Sequence, residues 1–140
     1  MPAYKNLSLA QVKILARDLA KNLKSQSAVI GLAGALGSGK TTFAKAFAKA
    51  LGIKKIASPT FVIMHEHKRK MVRLYHLDLY RLKRRSELKV LGLNEILLHP
   101  RRIMLIEWVE KFPQLKQSCD LLITFKVKPQ NLRDVTIQIP

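Results

Sequence analysis

The stretch that most constrains this chain is residues 34–41, which read Gly-Ala-Leu-Gly-Ser-Gly-Lys-Thr. An apolar run, residues 29–33, precedes it, and an amphipathic run, residues 42–51, follows it. Glycines allow successive backbone N–H groups to point into one concavity that binds oxyanions, and a following helix adds the positive end of its dipole. The order of strand, glycine-rich turn and helix therefore predicts a P-loop that binds the phosphates of a nucleotide.

Each position of this loop has an expected role. We expect Lys40 to reach the β- and γ-phosphates and the Thr41 hydroxyl to bind Mg²⁺. The remaining phosphate contacts are predicted at Gly37, Ser38, Gly39 and Thr42. The chain has no guanine-reading Asn-Lys-x-Asp stretch, which favours ATP over GTP as the nucleotide.

A Mg²⁺ site also needs a carboxylate, and the chain has only nine Asp and Glu residues. Glu107 is the best candidate, because four apolar residues precede it without interruption and a carboxylate at the tip of a buried strand needs a cation or strong donors. Asp78 similarly follows an apolar run and either holds a metal-bound water or orients the attacking water. The other seven acids lie in amphipathic or loop contexts, and we expect them to be solvated.

The hydrophobic periodicity predicts a chain in which helices and strands alternate. Helices are expected at residues 7–23, with Ser8 as the N-cap, and at 42–51. One helix broken at Gly92, or two short helices, is expected after Ser86. Strands are expected at residues 29–33, 61–65, 72–79, 103–108, 121–127 and 135–139, the last two forming a terminal hairpin. The basic run 67–70 is predicted to be a hairpin tip, 110–113 a loop, and 114–118 gives no clear signal.

Length and composition set the class of protein. The 140 residues fit a single domain, residues 1–140, and the 48% hydrophobic content supplies its core. No apolar run is long enough to span a membrane and no signal peptide is recognisable, so a cytoplasmic protein is expected. Cys119 is the single cysteine and is expected to be buried or incidental. The net charge of +17 favours a polyanionic partner, either nucleic acid or an acidic protein.

Three further residues lie near these motifs in sequence. Thr60 is in a loop that, in other NTPases, senses the γ-phosphate through a hydroxyl, although an ordinary turn is an equal alternative. Trp108 is either a core residue or a stacking surface for a base. His76 is expected to be packed or hydrogen-bonded, because the four histidines match no zinc-binding spacing.

In the combination of these residues, the chain resembles the TsaE (YjeE) family of bacterial ATPases, which act in threonylcarbamoyladenosine modification of tRNA. The resemblance covers about residues 7–140. Five segments carry it, in matching order and spacing: residues 34–42, Ser-Pro-Thr-Phe at 58–61, Tyr-His-Leu-Asp-Leu-Tyr-Arg-Leu at 75–82, Leu-Gly-Leu at 91–93 and Ile-Glu-Trp at 106–108.

The resemblance implies a single α/β domain with the three-layer fold of P-loop NTPases, in which helices flank a mixed β-sheet. It also implies weak ATP hydrolysis that matters in a complex with the TsaD–TsaB pair. It implies that Thr41 and Glu107 bind Mg²⁺ directly, that Thr60 is a switch-like hydroxyl and that Asp78 belongs near the γ-phosphate. It also implies that Trp108 and Arg133 approach the nucleotide. Contact with tRNA through the basic surface is compatible with this reading, whereas neither DNA nor a membrane is an expected partner.

The chain departs from the family pattern at several positions. Ala35 replaces a usual Asp, Val12 replaces a Thr that often touches the nucleotide, and Phe61 replaces a usual Tyr. The basic residues 83–85 replace an acidic stretch, which either puts the usual partner contacts in question or suggests a partner of opposite charge.

The sequence is also compatible with two other functions. One is a small-molecule kinase that uses the same P-loop, with Arg81, Arg84 and Arg85 as candidate lid arginines. The other is a basic nucleic-acid-binding module in which the P-loop is vestigial.

Overall fold

A seven-stranded mixed sheet forms the middle layer of the structure, a computed structural model that describes residues 2–54, 56, 63–99 and 101–140, apart from the side chain of residue 94. The strands are β1 (Ala3–Leu7), β2 (Ala28–Gly34), β3 (Met64–Arg69), β4 (Val72–Asp78), β5 (Arg102–Glu107), β6 (Leu121–Lys128) and β7 (Leu132–Gln138). Their spatial order is β1-β7-β6-β2-β5-β4-β3. The four central strands, β6, β2, β5 and β4, are parallel, and the flanking pairs are antiparallel.

Helices cover both faces of this sheet. They are α1 (Leu9–Leu23), α2 (Lys40–Ala50), α3 (Arg85–Val90), α4 (Leu93–Leu97) and α5 (Pro113–Gln117), with a 3-10 turn at Val109–Lys111. Alternate residues of β2 enter two cores, because successive side chains of a strand point to opposite faces. Ile30 and Leu32 pack with α1 and α2, whereas Val29 and Ala33 pack with the 3-10 turn and the shorter helices. The predicted three-layer α/β architecture is confirmed.

The parallel arrangement decides where functional side chains meet. Strands β2, β4 and β5 end at the same edge of the sheet, since they run in one direction and are neighbours. The loop after β2 therefore lies beside the last residues of β4 and β5. This is the edge at which ligands bind in open α/β sheets.

The first helix ends at Leu23 and has Ser8 as its N-cap, as predicted, but it begins at residue 9 and not at residue 7. Ser8 is the N-cap, and its side chain forms a capping box with Gln11, so α1 begins at Leu9. Leu7 belongs instead to β1, a strand that the sequence did not predict. Most residues of β1 are exposed, so its sequence lacks the apolar alternation that marks a half-buried strand.

The basic run at residues 67–70 is not a hairpin tip. Residues 67–69 continue β3, and the turn to β4 lies at Lys70 and Met71. Strand β5 ends at Glu107 rather than at Trp108, which has a left-handed φ of 62°. Two short helices, α3 and α4, meet at Gly92, and α5 occupies residues that gave no sequence signal.

The predicted turn at residues 58–60 and the first residues of the strand predicted at 61–65 lie outside the described part of the chain. Within the described part, no helix has the length and apolar character needed to cross a membrane.

Candidate nucleotide-binding site

The loop between β2 and α2 has a backbone that requires glycine at two points. Gly34 has a φ of 148°, and a Cβ there would lie 2.6 Å from the Phe125 carbonyl oxygen. Gly39 has a φ of 115° and is the N-cap of α2. Residues with side chains rarely adopt such angles, so these glycines allow the loop to fold closely over the N-terminus of the helix.

Lys40, the first residue of α2, is turned inward. Its side chain is buried, its Nζ donates a hydrogen bond to the Gly34 carbonyl, and the same Nζ lies 3.4 Å from the centroid of the Trp108 ring. Burial lowers the pKa of Lys40, while the carboxylates of Glu110, Glu107 and Asp78 act in the opposite direction. Lys40 is therefore a cation held in place by a carbonyl and an aromatic face.

Glu107 occupies the end of β5, directly beside the loop. Only 2% of the residue is exposed. The Thr41 hydroxyl donates a 2.9 Å hydrogen bond to its Oε1, and His76 Nε2 lies 2.5 Å from its Oε2. A buried carboxylate needs such partners, and these two fix its orientation toward the loop. The expectation that His76 is hydrogen-bonded is confirmed.

Asp78 is the register neighbour of Glu107, because β4 and β5 pair in parallel. Its Oδ1 accepts a 3.0 Å hydrogen bond from the Tyr80 N–H. Burial raises the pKa of Asp78, and the negative charge of Glu107 adds to this effect. Two carboxylates thus face the same space that Lys40 and Thr41 border.

Arg133 reaches the loop from the terminal hairpin. It is 2% exposed, and its Nε donates a 3.1 Å hydrogen bond to the Ser38 carbonyl. The remaining guanidinium nitrogens donate to the carbonyls of Leu7 and Asn131 and to the Asn131 side chain. Arg133 therefore ties the loop to β7, and the sequence alone would not have located it here without the family resemblance.

These elements enclose a cavity of about 190 Å³. It is lined by nine of the residues that the sequence singled out: Gly37, Gly39, Lys40, Thr41, Thr42, Asp78, Glu107, Trp108 and Arg133. Leu9, Leu36 and Asn131 also line it and were not predicted. Ser38 is fully buried and does not line the cavity, and its Oγ has no hydrogen-bond partner among the described residues. Thr60 lies outside the described residues.

Glu110 is the important residue that the sequence reasoning missed. It was expected to be solvated, but its Oε2 accepts a 2.8 Å hydrogen bond from the Gly34 N–H. Its Oε1 is buried, and no residue in the described part of the chain forms a hydrogen bond with it. The 3-10 turn that begins at Val109 brings Glu110 back toward the loop. The available signal was its position, three residues after Glu107 and just beyond the same strand end.

Two departures from the family pattern have clear environments. Val12 is fully buried in the core formed by α1 and α2, so its side chain makes no contact with the cavity. Ala35 is exposed, and its carbonyl accepts a 3.1 Å hydrogen bond from the Ser38 N–H. Cys119 is buried as expected, and burial raises the pKa of its thiol to about 11.

The donor set fits a magnesium ion. Thr41 and Glu107 present hard oxygen donors within hydrogen-bond distance of each other, beside the loop. Among the described residues no group of three or more His, Cys, Asp or Glu side chains is arranged to hold a metal. Mg²⁺ suits such a site, because it commonly binds through one or two protein oxygens and otherwise keeps waters and substrate phosphates as ligands.

Strand β2 of the parallel sheet leads through a glycine-rich loop into α2, and a lysine, a threonine and a strand-end carboxylate surround one cavity. These features define a P-loop nucleotide-binding fold. Comparison with known families gives the specific assignment. The family model described as "Threonylcarbamoyl adenosine biosynthesis protein TsaE" matches residues 7–135. The chain belongs to the TsaE family, whose fold is that of a P-loop ATPase.

Individual relatives agree with this assignment. The chain is 40% identical over 109 residues to the Bacillus subtilis tRNA threonylcarbamoyladenosine biosynthesis protein TsaE, an alignment that spans 77% of this chain and 67% of the relative. It is 36% identical over 126 residues to the Aquifex aeolicus protein of the same name, spanning 88% and 85%. The crystal structure of Bacillus subtilis YdiB superposes with a TM-score of 0.78 at 29% identity, covering 99% of this chain and 84% of that one.

Proposed function

We propose that this chain, as one domain spanning residues 1–140, is a Mg²⁺-dependent ATPase that acts as an accessory subunit in threonylcarbamoyladenosine modification of tRNA. Its partners would be relatives of TsaD and TsaB, and its ATPase activity would be weak without them. The observation that carries this proposal is the meeting of Lys40, Thr41, Asp78 and Glu107 around one cavity. Membership of the TsaE family supports the tRNA-modifying context.

The cavity suits the phosphate end of ATP. The N-terminus of α2 opens into it, and backbone N–H groups at such a position bind oxyanions. Thr41 and Glu107 would hold the magnesium ion, and a bound Mg²⁺ neutralises charge that develops on the phosphates. The proposed roles of Gly37, Ser38, Gly39 and Thr42 are to supply backbone contacts to the phosphates.

Lys40 would supply positive charge to the transferring phosphate. To do so its Nζ must leave the Gly34 carbonyl and the Trp108 ring, where it is now held. This internal competition supports weak turnover by the isolated chain. A partner that favours the extended Lys40 would raise the rate without adding a chemical group.

Asp78 would orient the attacking water. Its position beside Glu107 and its raised pKa, caused first by burial, support a group near the γ-phosphate that can accept a hydrogen bond from water. Catalysis would then consist of positioning and charge stabilisation, as in other phosphoryl-transfer sites. Thr60 remains a proposed switch hydroxyl, and Trp108 and Arg133 remain proposed nucleotide neighbours.

The test is formation of threonylcarbamoyladenosine on unmodified tRNA, with ATP, in a bacterial extract that supplies the other components of the modification and is depleted of its own TsaE relative. Lys40→Ala should abolish multiple-turnover formation of threonylcarbamoyladenosine, and Lys126→Ala, at an exposed position on β6, should leave it unchanged. If Lys40→Ala supports modification at the wild-type rate, the proposal is wrong. A phosphorylated metabolite formed by the chain alone would instead favour the kinase alternative.

A further inference from the structure

A broad basic groove lies on the helical face formed by α1 and α2, away from the carboxylates of the nucleotide cavity. It consists of two adjoining depressions of about 750 Å³ and 720 Å³. The first is bordered by Lys13, Arg17, Lys45, Lys49 and Lys54. The second is bordered by Lys21, Lys24, Lys49, Arg69, Lys70 and Arg101. Lys49 borders both depressions, and ten different cations among the described residues line the two of them, which we together call the basic groove.

The charge of the basic groove is not neutralised within the described part of the chain. None of its lining residues is an Asp or a Glu, and none of its ten cations takes part in the ion pairs found among the described residues. Ten of the 26 lysines and arginines in the whole chain thus border this one groove.

Because of their spacing along the helices, several of these cations lie in rows. Lys13, Arg17 and Lys21 recur every four residues and so share one face of α1, over a length of about 12 Å, and Lys24 is the C-cap that follows the helix. Lys45 and Lys49 form a second, shorter row on α2, which packs against α1 through the core. Like charges four residues apart destabilise a helix by roughly 0.2–0.5 kcal/mol per pair. A bound polyanion would offset this repulsion.

The chemistry of the groove favours a nucleic-acid backbone over an acidic protein. Protein interfaces are depleted in charge at their centre and enriched in aromatic residues. The lining of the basic groove among the described residues contains ten cations and no Phe, Tyr or Trp. Without aromatic stacking surfaces, the groove would contact phosphates and carry little base specificity.

The groove also adjoins the nucleotide cavity. Thr42 lines both the first depression and the cavity. A backbone bound in the groove would thus lie along α2, the helix whose first two residues are Lys40 and Thr41.

We propose that the basic groove binds the sugar-phosphate backbone of RNA through sequence-independent contacts. The choice of tRNA as this RNA rests on the proposed function, whereas the groove itself does not. Only part of the basic run at residues 67–70 contributes its charge to the groove. Lys68 pairs with Glu66 at 3.1 Å, while Arg69 and Lys70 turn to the groove, where Arg69 donates a hydrogen bond to the Gly52 carbonyl.

The test measures binding of fluorescently labelled tRNA by the full chain across a series of salt concentrations. The triple variant Lys13→Gln, Lys21→Gln, Lys49→Gln removes three groove cations. Its control, Lys83→Gln, Lys89→Gln, Lys126→Gln, removes three exposed cations outside the groove. Both variants change the net charge equally, so a difference between them reports position and not total charge.

The groove variant should bind tRNA at least about tenfold more weakly at low salt, with a slope of log K against log salt shallower by about 2–3. The control should bind within about twofold of the wild type, and a tRNA with an unrelated anticodon should bind equally well. Equal losses in both variants, or wild-type binding by the groove variant, would overturn the proposal. So would competition by poly-glutamate as effective as that by poly-uridylate, which would indicate an acidic protein partner.

Circular dichroism and ATP hydrolysis with the partner pair complete the experiment. A folded groove variant that hydrolyses ATP normally but binds tRNA weakly supports the groove. Normal tRNA binding by the same variant overturns the groove and leaves the proposed ATPase function intact. The Lys40→Ala variant, by contrast, tests only the proposed ATPase function and not the groove.

Discussion

Thr41 and Glu107 are 66 positions apart in the sequence, and their side chains are joined by a 2.9 Å hydrogen bond from the Thr41 hydroxyl to Glu107 Oε1. The parallel pairing of β2 and β5 produces this contact, because it brings the P-loop and the end of β5 to the same edge. The fold itself therefore positions the pair, which reduces the ordering that magnesium binding would require.

Removing either member of this pair should eliminate Mg²⁺-dependent hydrolysis. We expect Glu107→Gln and Thr41→Ala each to lower the hydrolysis rate by about 100-fold or more, since charge stabilisation at the phosphates is commonly the largest catalytic contribution. Thr41→Ser keeps the hydroxyl and should retain most of the activity. Steady-state phosphate release at saturating Mg²⁺ is the measurement, and full activity in Glu107→Gln would exclude it as the metal ligand.

Trp108 provides an intrinsic signal for the movement of Lys40. It is the single tryptophan of the chain, and the Lys40 Nζ lies 3.4 Å from its ring centroid. Binding of ATP should draw Lys40 toward the phosphates and change the Trp108 emission. Fluorescence titration should show this change in the wild type and in Lys126→Met but not in Lys40→Met. An unchanged wild-type spectrum, with binding verified by calorimetry, would mean that Lys40 stays on the ring.

Glu110 should contribute to both stability and nucleotide binding through the Gly34 N–H. Glu110→Ala leaves that N–H without its acceptor and should lower the free energy of unfolding by about 1–2 kcal/mol, measured by urea denaturation. Glu110→Gln keeps an acceptor oxygen and should be less destabilised. If the two variants were equally stable, the hydrogen bond to Gly34 would not be the relevant interaction.

The Asp134 carboxyl should make stability depend on acid pH. The Asn6 N–H donates to its Oδ1 at 2.9 Å, and this bond, aided by Lys128 and Lys5, holds the pKa of Asp134 below its ordinary 3.8. A folded-state pKa below the unfolded one stabilises the fold at pH above the unfolded value, and that stability is lost as pH falls through the folded value.

Asp134→Asn should therefore have a lower Tm than the wild type at neutral pH, and the difference should shrink as the pH falls below about 3.8. Thermal unfolding followed by circular dichroism measures both. Asp18→Asn, at an exposed carboxylate on α1, is the control and should show little change. A Tm difference independent of pH would indicate that the Asp134 charge is not responsible.

The sequence was most informative where a local pattern has one physical cause. The glycine spacing of residues 34–41 and the apolar run before Glu107 predicted two segments that the fold brings together. The hydrophobic pattern did not predict β1, because an exposed edge strand has no apolar alternation. It also failed for Glu110, whose burial depends on the 3-10 turn after β5 and not on its neighbours in sequence.

The proposed ATPase activity is tested most directly by the rate of phosphate release from Mg²⁺-ATP by the purified chain, measured alone and with the TsaD and TsaB relatives. We expect slow hydrolysis by the chain alone, a marked increase when the pair is added, and no activity above background for Lys40→Ala in either condition. The same rate with and without the pair, or undiminished hydrolysis by Lys40→Ala, would contradict it.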